Sequence, residues 1–354
     1  MPIKLLTRPS LTSYFAALCC ICSLLFQAQP VFAWGERGHD IITRVAVQNM
    51  RLAVADNKAL MQPFIARDHM LGHLSNTPDI VWRAPYMTEL ERSENYSTHF
   101  INLEKVYLDV DVWNDLPIDY SVYTTNSRAK GFEPEEVGTA PWRVLQLYTL
   151  MVDAFKKVAL AKDPKAFESS VNEALLVAGI MSHFVGDLAN PHHTSANYDG
   201  QLTGQRGLHA YFESDVVGEL SFELSAKVYV KAQADWLDIY TKPERKEIVS
   251  SAQKIVWALL ANSHNRLPQL LELDRTHSLI KESNKIARAK RKPVNQTADS
   301  FQEFATERLS VGASALSALW LLAWQEAGSP DMSEFRSYYY PVKPDFIRPD
   351  YINR

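Results

Sequence analysis

Within the 31 residues from His183 to Glu213 the chain spaces His183, Asp187, His193, His209 and Glu213, five side chains able to bind a metal, in a sequence with only ten histidines. The stretch reads His183-Phe-Val-Gly-Asp187-Leu-Ala-Asn-Pro-His192-His193, and then His209-Ala-Tyr-Phe-Glu213. His183 and Asp187 are four apart and so share one face of a helix; His209 and Glu213 repeat the spacing. Pro191 is expected to end the first helix and to leave His193 just beyond it. One such pair alone would be an ordinary helix-surface pair. Two pairs and a further histidine, imidazole and carboxylate without thiolate, make a ligand set that suits zinc in a hydrolytic site.

The absence of thiolate follows from where the cysteines lie. Cys19, Cys20 and Cys22 are all inside the first 33 residues. That segment reads as a secretory signal peptide: Lys4 and Arg8 near the start, a mostly apolar run from Leu11 to Phe26, and Val31-Phe32-Ala33 as a small-residue cleavage site. The apolar run is short and interrupted, which argues against an uncleaved anchor. Cleavage after Ala33 implies a secreted or periplasmic product without disulfides, held by its core and by metal. It would remove two positive charges and no acidic one, taking the formal net charge from −4 to −6. A mildly acidic chain lacks the basic footprint that wide, non-specific duplex binding needs. A nucleic acid remains open as a substrate where metal ions supply the positive charge.

Processing would expose Trp34, whose α-amine and carbonyl oxygen can chelate one metal together. His39 follows five residues on, at the start of an amphipathic stretch to about Leu52 with Val45, Ala46 and Met50 on its apolar side. His69 and His73 have helical spacing but read as a surface or loop pair. Ser75-Asn-Thr-Pro-Asp79 is turn-rich, and Asp79 alone would be a helix cap. His99 lies in a short extended run, Asn95 to Asn102. Asn95-Tyr-Ser97 and Asn295-Gln-Thr297 match the glycosylation sequon. Residues 103–137 are polar, acidic and turn-rich, and are expected to form a long surface excursion with little regular structure.

Thr139 and Pro141 open a helix to about Leu160. A second runs from about Pro164 to Leu188, with Val171, Ala174, Leu175, Ala178 and Met181 on one side and His183 and Asp187 in its last turns. A Gly-containing loop from Ser195 to Gly207 leads to His209, which opens another helix. Lys242 to Leu267 and Leu270 to Ile280 also read as helical. The basic run from Asn284 to Pro293 reads as a solvated loop, with contact to phosphate or anionic headgroups as the alternative. Phe301 to Ala327, rich in Ala and Leu and ended by Gly328-Ser-Pro330, is expected to be a core helix. Glu303, Glu307 and Arg308 interrupt it too often for a membrane span, so the processed chain is expected to have no integral span. The fold class is therefore mainly α: a single helical domain over 34–330 and an irregular Tyr- and Pro-rich tail over 331–354. No internal repeat, phosphate-cradling Gly-rich loop or Ser-His-Asp signature is found.

Trp34-Gly-x-x-Gly-His39, Asp79, His99-Phe-Ile, His183-Phe-Val-Gly-Asp187, Pro191-x-His193 and His209-x-x-x-Glu213 occur in that order. This ordered set resembles the superfamily that joins fungal and plant secreted single-strand nucleases (and 3′-nucleotidases) to bacterial zinc-dependent phospholipases C. The motifs span most of 34–213. The resemblance implies a mainly α-helical domain around a trinuclear zinc (Zn2+) cleft. Carried over, one ion would take Asp79, His99, His183 and Asp187. A second would take the Trp34 amine and carbonyl, His39 and again Asp187, which bridges the pair. The third would take His193, His209 and Glu213. It implies further that a hydroxide between the paired ions attacks phosphorus, while the third ion stabilises the leaving oxygen. Asp79 would orient or deprotonate that water, and Arg83 would offset phosphate charge. Asn102 stands where the nucleases use an aspartate to read the base.

Phosphodiesters resist attack because the anion repels hydroxide and the leaving alkoxide is poor. Zinc answers both problems, lowering the pKa of its water to about 7 and clamping the phosphoryl group. The spacing from Trp34 to His39 and the Phe-Val-Gly-Asp187 motif resemble the nuclease branch. Glu213, the short loop between His193 and His209, and the missing disulfides resemble the phospholipase branch. The expected partner is thus a phosphodiester, a single-stranded nucleic acid ahead of a phospholipid headgroup, met by a monomer. A secreted helical binding protein with structural zinc is the non-enzymatic alternative.

Overall fold

The protein is described from a computed structural model over residues 34–54, 57–107, 110–241, 247–248, 250–283, 287–336 and 345–351. The expected signal segment, residues 1–33, lies outside these. The described chain is mainly helical. Its long helices are α1 (Gly35–Ala53), α2 (Ala140–Leu160), α3 (Pro164–Ala189), α4 (Leu224–Thr241), α5 (Ala252–His264) and α6 (Ala298–Glu326). One two-stranded antiparallel ribbon, β1 (Leu279–Lys281) with β2 (Lys290–Arg291), pairs Leu279 with Arg291 and Lys281 with Lys290.

α3 is the axis of the packing. Asp163 caps it by accepting the Ala166 amide at 2.9 Å, and Pro164 occupies its first turn, where a missing N–H costs nothing. Its first half is amphipathic. From Val177 to Ala189 every residue is buried, so its C-terminal turns are enclosed on all sides. α2 packs along it, and α1 and α6 cross it. The crossing is close because it is built on glycine. A methyl group added at Gly312 of α6 would lie 3.0 Å from the Ala189 Cβ and 3.3 Å from the Ile42 Cδ1. The polar turn of α3 that carries His183 and Asp187 is thereby sealed inside the helix bundle.

Several expectations change. Residues 103–137 are not irregular: they hold a 3-10 turn at Leu103–Lys105 and short helices at Val112–Asp115, Tyr120–Ala129 and Pro134–Val137. Asp111 and Asp119 cap two of these, and Glu133 with Glu136 forms a capping box on the third. Val112, Leu116, Tyr123 and Val137 anchor the excursion in the core. His99 is not in an extended strand. It follows the Glu89–Ser97 helix, whose Thr88-x-x-Glu91 capping box sets its start. Asp79 lies within the short Thr77–Ile80 helix rather than capping one.

In the C-terminal half α4 was not anticipated. The helix expected from Lys242 to Leu267 falls partly outside the described residues, and its observed part is α5, capped by Ser251. The helix expected from Leu270 to Ile280 is instead Leu267–Leu273, followed by a widened π turn at Asp274–Ser278 and then β1. Part of the basic run becomes β2. Lys290 is exposed as a solvated loop residue would be, but the Arg291 side chain is buried. The described parts of the tail carry no helix or strand. Met332, Phe335 and Tyr351 are nonetheless buried, and the Tyr351 hydroxyl lies 3.0 Å from that of Thr139. Among the described residues no helix is long and apolar enough to cross a membrane.

Candidate metal centre

Six segments, α3 among them, bring their side chains together at the enclosed end of α3. His39 comes from the first turns of α1, Asp79 from the Thr77–Ile80 helix, and His99 from the coil after Ser97. His183 and Asp187 come from α3, His193 from the 3-10 turn Pro191–Thr194, and His209 and Glu213 from the helical segment after Gly207. Asp187 is the hub. Its Oδ2 lies 3.0 Å from His99 Nδ1 and 3.3 Å from His183 Nε2; its Oδ1 lies 3.6 Å from His39 Nε2 and 3.9 Å from His193 Nδ1. The side chains form three groups: His39, His183 and Asp187; Asp79, His99 and His183; and His193, His209 and Glu213. In each, one ligand atom per residue lies within 4.8 Å of the others.

Neighbours set which nitrogen each imidazole offers. His183 Nδ1 donates to the Ser75 carbonyl at 2.7 Å, which leaves Nε2 as the ligand atom. His193 Nδ1 donates to the His99 carbonyl at 2.6 Å, so its Nε2 faces Glu213 Oε1 at 3.1 Å and His209 Nε2 at 3.0 Å. His209 Nε2 is 2.9 Å from Glu213 Oε2. Asn190, the residue that caps the Pro191 turn, also donates its amide to Glu213 Oε1. The His39 and His183 rings stack at 4.2 Å.

The donor set fits cations. Both ring nitrogens of His39, Nε2 of His99 and Oδ1 of Asp187 are buried without a hydrogen-bond partner. Such orphans are costly unless something else satisfies them. Tetrahedral zinc with bonds of about 2.0–2.2 Å holds its ligand atoms about 3.3 Å apart, which the separations above straddle. The electrostatics agree. Burial pushes the pKa of His39, His99 and His183 well down, and pushes the Asp187 carboxyl well up. Burial also opposes charge on His193 and His209, but Asp187 and Glu213 outweigh it at His193, and Glu213 and Asp199 at His209, so both rise. Glu213 in turn falls, because His209 and His193 outweigh its burial. The neutral imidazoles of His39, His99 and His183 are in the form that a divalent ion binds, whereas an ion at His193 and His209 would have to displace their protons.

Arg83 donates from Nη1 to Asp79 Oδ1 at 2.8 Å, and its guanidinium lies 5.9 Å from the centre of the Tyr96 ring. Asn102 is buried: its amide donates to the Glu136 carbonyl at 3.4 Å, and its backbone N–H donates to the Val137 carbonyl. Trp34 approaches through its indole, which donates to the Gly186 carbonyl at 2.6 Å next to Asp187. Its own carbonyl accepts the Gly38 amide at 3.1 Å. Its φ of 48° is left-handed, at a cost of roughly 1–2 kcal/mol that the buried ring offsets. His69 and His73 stay apart from the centre, His69 pairing with Asp68 on the surface.

Sequence reasoning missed Ser75, Asn190 and Gly186. A Cβ on Gly186 would lie 2.7 Å from His39 Nδ1, so glycine is what lets α1 bring that ring against α3. Asn190 before Pro191 carried a local signal, as an Asx cap. Ser75 carried none, because it acts through its carbonyl.

The fold and the site together define a mainly α-helical protein with three buried histidine–carboxylate groups that could hold metal ions. Comparison with protein-family models and with curated proteins finds no match.

Proposed function

We propose that the chain is a secreted zinc-dependent phosphodiesterase, acting on single-stranded nucleic acid and 3′-nucleotides. The observation that supports it most is the convergence of six separate segments on three neighbouring groups, two of which share His183 and all of which have a histidine within 4 Å of Asp187. The group of His193, His209 and Glu213 supplies three protein ligand atoms of its own, while His183, with Nδ1 held by Ser75, can give its Nε2 to only one of the other two. Three protein ligands with a position left for water or substrate is the habit of catalytic zinc, whereas structural zinc is closed by four. Bound zinc would lower the pKa of water to about 7 and offset phosphate charge.

The chain's own residues supply the rest. Asp79, which accepts from Arg83 and lies beside His99 and His183, would accept a proton from an attacking water. Arg83, whose side chain keeps 25% exposure, would face the phosphate oxygens. Ser75, Asn190 and the His99 carbonyl hold the ligands in orientation, so little reorganisation accompanies the reaction. The Trp34 nitrogen would become an amine only after cleavage behind Ala33.

A phospholipase C is the second reading, favoured by Glu213 and by the short loop between His193 and His209. The test is zinc-loaded processed protein given single-stranded DNA, RNA, 3′-mononucleotides and phosphatidylcholine side by side. Hydrolysis of the nucleotide substrates is expected. Hydrolysis of phosphatidylcholine alone would select the second reading. Retained zinc with no phosphoester cleaved would leave a binding protein with structural metal.

A further inference from the structure

The loop before His209 turns through three left-handed glycines, Gly200, Gly204 and Gly207, with φ of 69°, 75° and 93°. Such a backbone has little stiffness of its own. It is held within by the Ser283 amide on the Gly204 carbonyl at 2.8 Å and by the His209 amide on Asp199 Oδ1 at 3.2 Å, and it is tethered at both ends. At its start Glu104 accepts the Ser195 hydroxyl at 2.6 Å and the Ala196 amide at 2.8 Å. At its end stands Arg291 of β2. Its Nε and Nη2 form a fork on the Asp274 carboxylate at 2.7 and 2.9 Å. The same guanidinium donates to the Gln205 carbonyl at 2.6 Å and to the Arg206 carbonyl at 3.4 Å. It also lies 5.1 Å from the centre of the Tyr211 ring. Asp274 is fully buried and takes a further bond from the Gln205 amide at 2.9 Å.

Arg291 therefore grips the chain four and three residues before His209 and two residues after it. We propose that Arg291, oriented by Asp274, is a positioning residue for His209, and so sets the affinity and geometry of the cation held by His193, His209 and Glu213. The physical need is plain. Metal–ligand distances tolerate about 0.2 Å, and a glycine-rich loop does not hold a ligand that closely without a brace. Arginine is required because the planar fork serves a carboxylate and two carbonyls at once; lysine offers a point charge and cannot. The proposal rests on the reading that this group binds a cation.

The experiment uses processed full-length protein. Bound ions per chain are counted across buffered zinc concentrations, and the visible spectrum of the cobalt(II)-substituted protein reports coordination geometry. H209A gives the reference for loss of this ion. R291K keeps a charge opposite Asp274 but loses the carbonyl contacts; R291M removes both, and K290A alters an exposed neighbour on the same strand. R291K is expected to bind one ion about 10–100-fold more weakly, to keep the others, and to show an altered cobalt spectrum with a cooperative melt. R291M shows the same or a greater loss, and K290A behaves as wild type. Should R291M fail to fold, R291K decides. Wild-type affinity and spectrum in R291K, with or without a lowered melting temperature, overturn the proposal. An H209A count equal to that of wild type overturns the metal reading beneath it instead.

Discussion

Gly186→Ala tests the metal centre with one methyl group that touches no proposed ligand covalently. The new Cβ would lie 2.7 Å from His39 Nδ1, 3.0 Å from Cε1 and 3.3 Å from the Ile42 Cδ1. Ordinary contact begins near 3.4 Å, so the imidazole must retreat by about 0.7 Å. That exceeds the tolerance of a metal–ligand bond, about 0.2 Å, more than threefold. The ring has nowhere easy to go, being 1% exposed and stacked on His183 at 4.2 Å. Alanine in place of glycine stabilises a helix by about 1 kcal/mol. Overpacking costs about 1–3 kcal/mol. The metal-free protein should thus lose only about 0–2 kcal/mol by these two terms. Affinity for the ion at His39 should fall by about 10–100-fold, or roughly 1.4–2.7 kcal/mol. The assay is zinc titration against a competing chelator, paired with urea unfolding of the metal-free protein. Gly218→Ala, whose Cβ would meet nothing within 4 Å, is the control and should change neither. Wild-type zinc affinity in Gly186→Ala, with its fold intact, would remove His39 from the metal centre.

Asp187→Ala should lose more metal than Glu213→Ala, since Asp187 faces ligands of every group whereas Glu213 serves one; elemental analysis of the dialysed proteins reads the order. If the proposed function holds, one residue added ahead of Trp34 in the processed protein should lower both zinc content and phosphoester hydrolysis, because an amide cannot replace the amine proposed to chelate; unchanged values would exclude the amino end as a ligand. Arg143 is fully buried between the rings of Trp82 and Phe184, with Nε and Nη2 unpartnered, and burial pushes its pKa down to about 10. Arg143→Met should therefore leave stability within about 1 kcal/mol of wild type or raise it, as judged by urea unfolding; a loss above about 3 kcal/mol would mean that the cation has a strong partner.

How much was legible depends on the range of each interaction. The Glu133-x-x-Glu136 box and the Asp111 and Asp119 caps were present in the sequence, yet residues 103–137 read as loop. Their helices span only 4 to 10 residues, too few turns to show a periodicity. α4 escaped although Leu224, Val228 and Ala232, spaced by four, form its buried stripe, because apolar residues such as the exposed Val230 blur that pattern. The end of the helix after Leu267 was misplaced because Asp274 is held by Arg291, seventeen residues on, and a bond of that kind leaves no local mark.

The spacing of His183 with Asp187, and of His209 with Glu213, was determined locally: a helix repeats every 3.6 residues, so ligands four apart must share a face. The burial of those pairs, and their meeting with His39, Asp79 and His99, was decided only in three dimensions. It depends on glycines at the crossings of α1, α3 and α6, on a serine carbonyl, and on an arginine fork from a distant ribbon. Backbone groups and absent side chains orient ligands without any residue-type signature, and for that reason the centre took shape only when the helices packed.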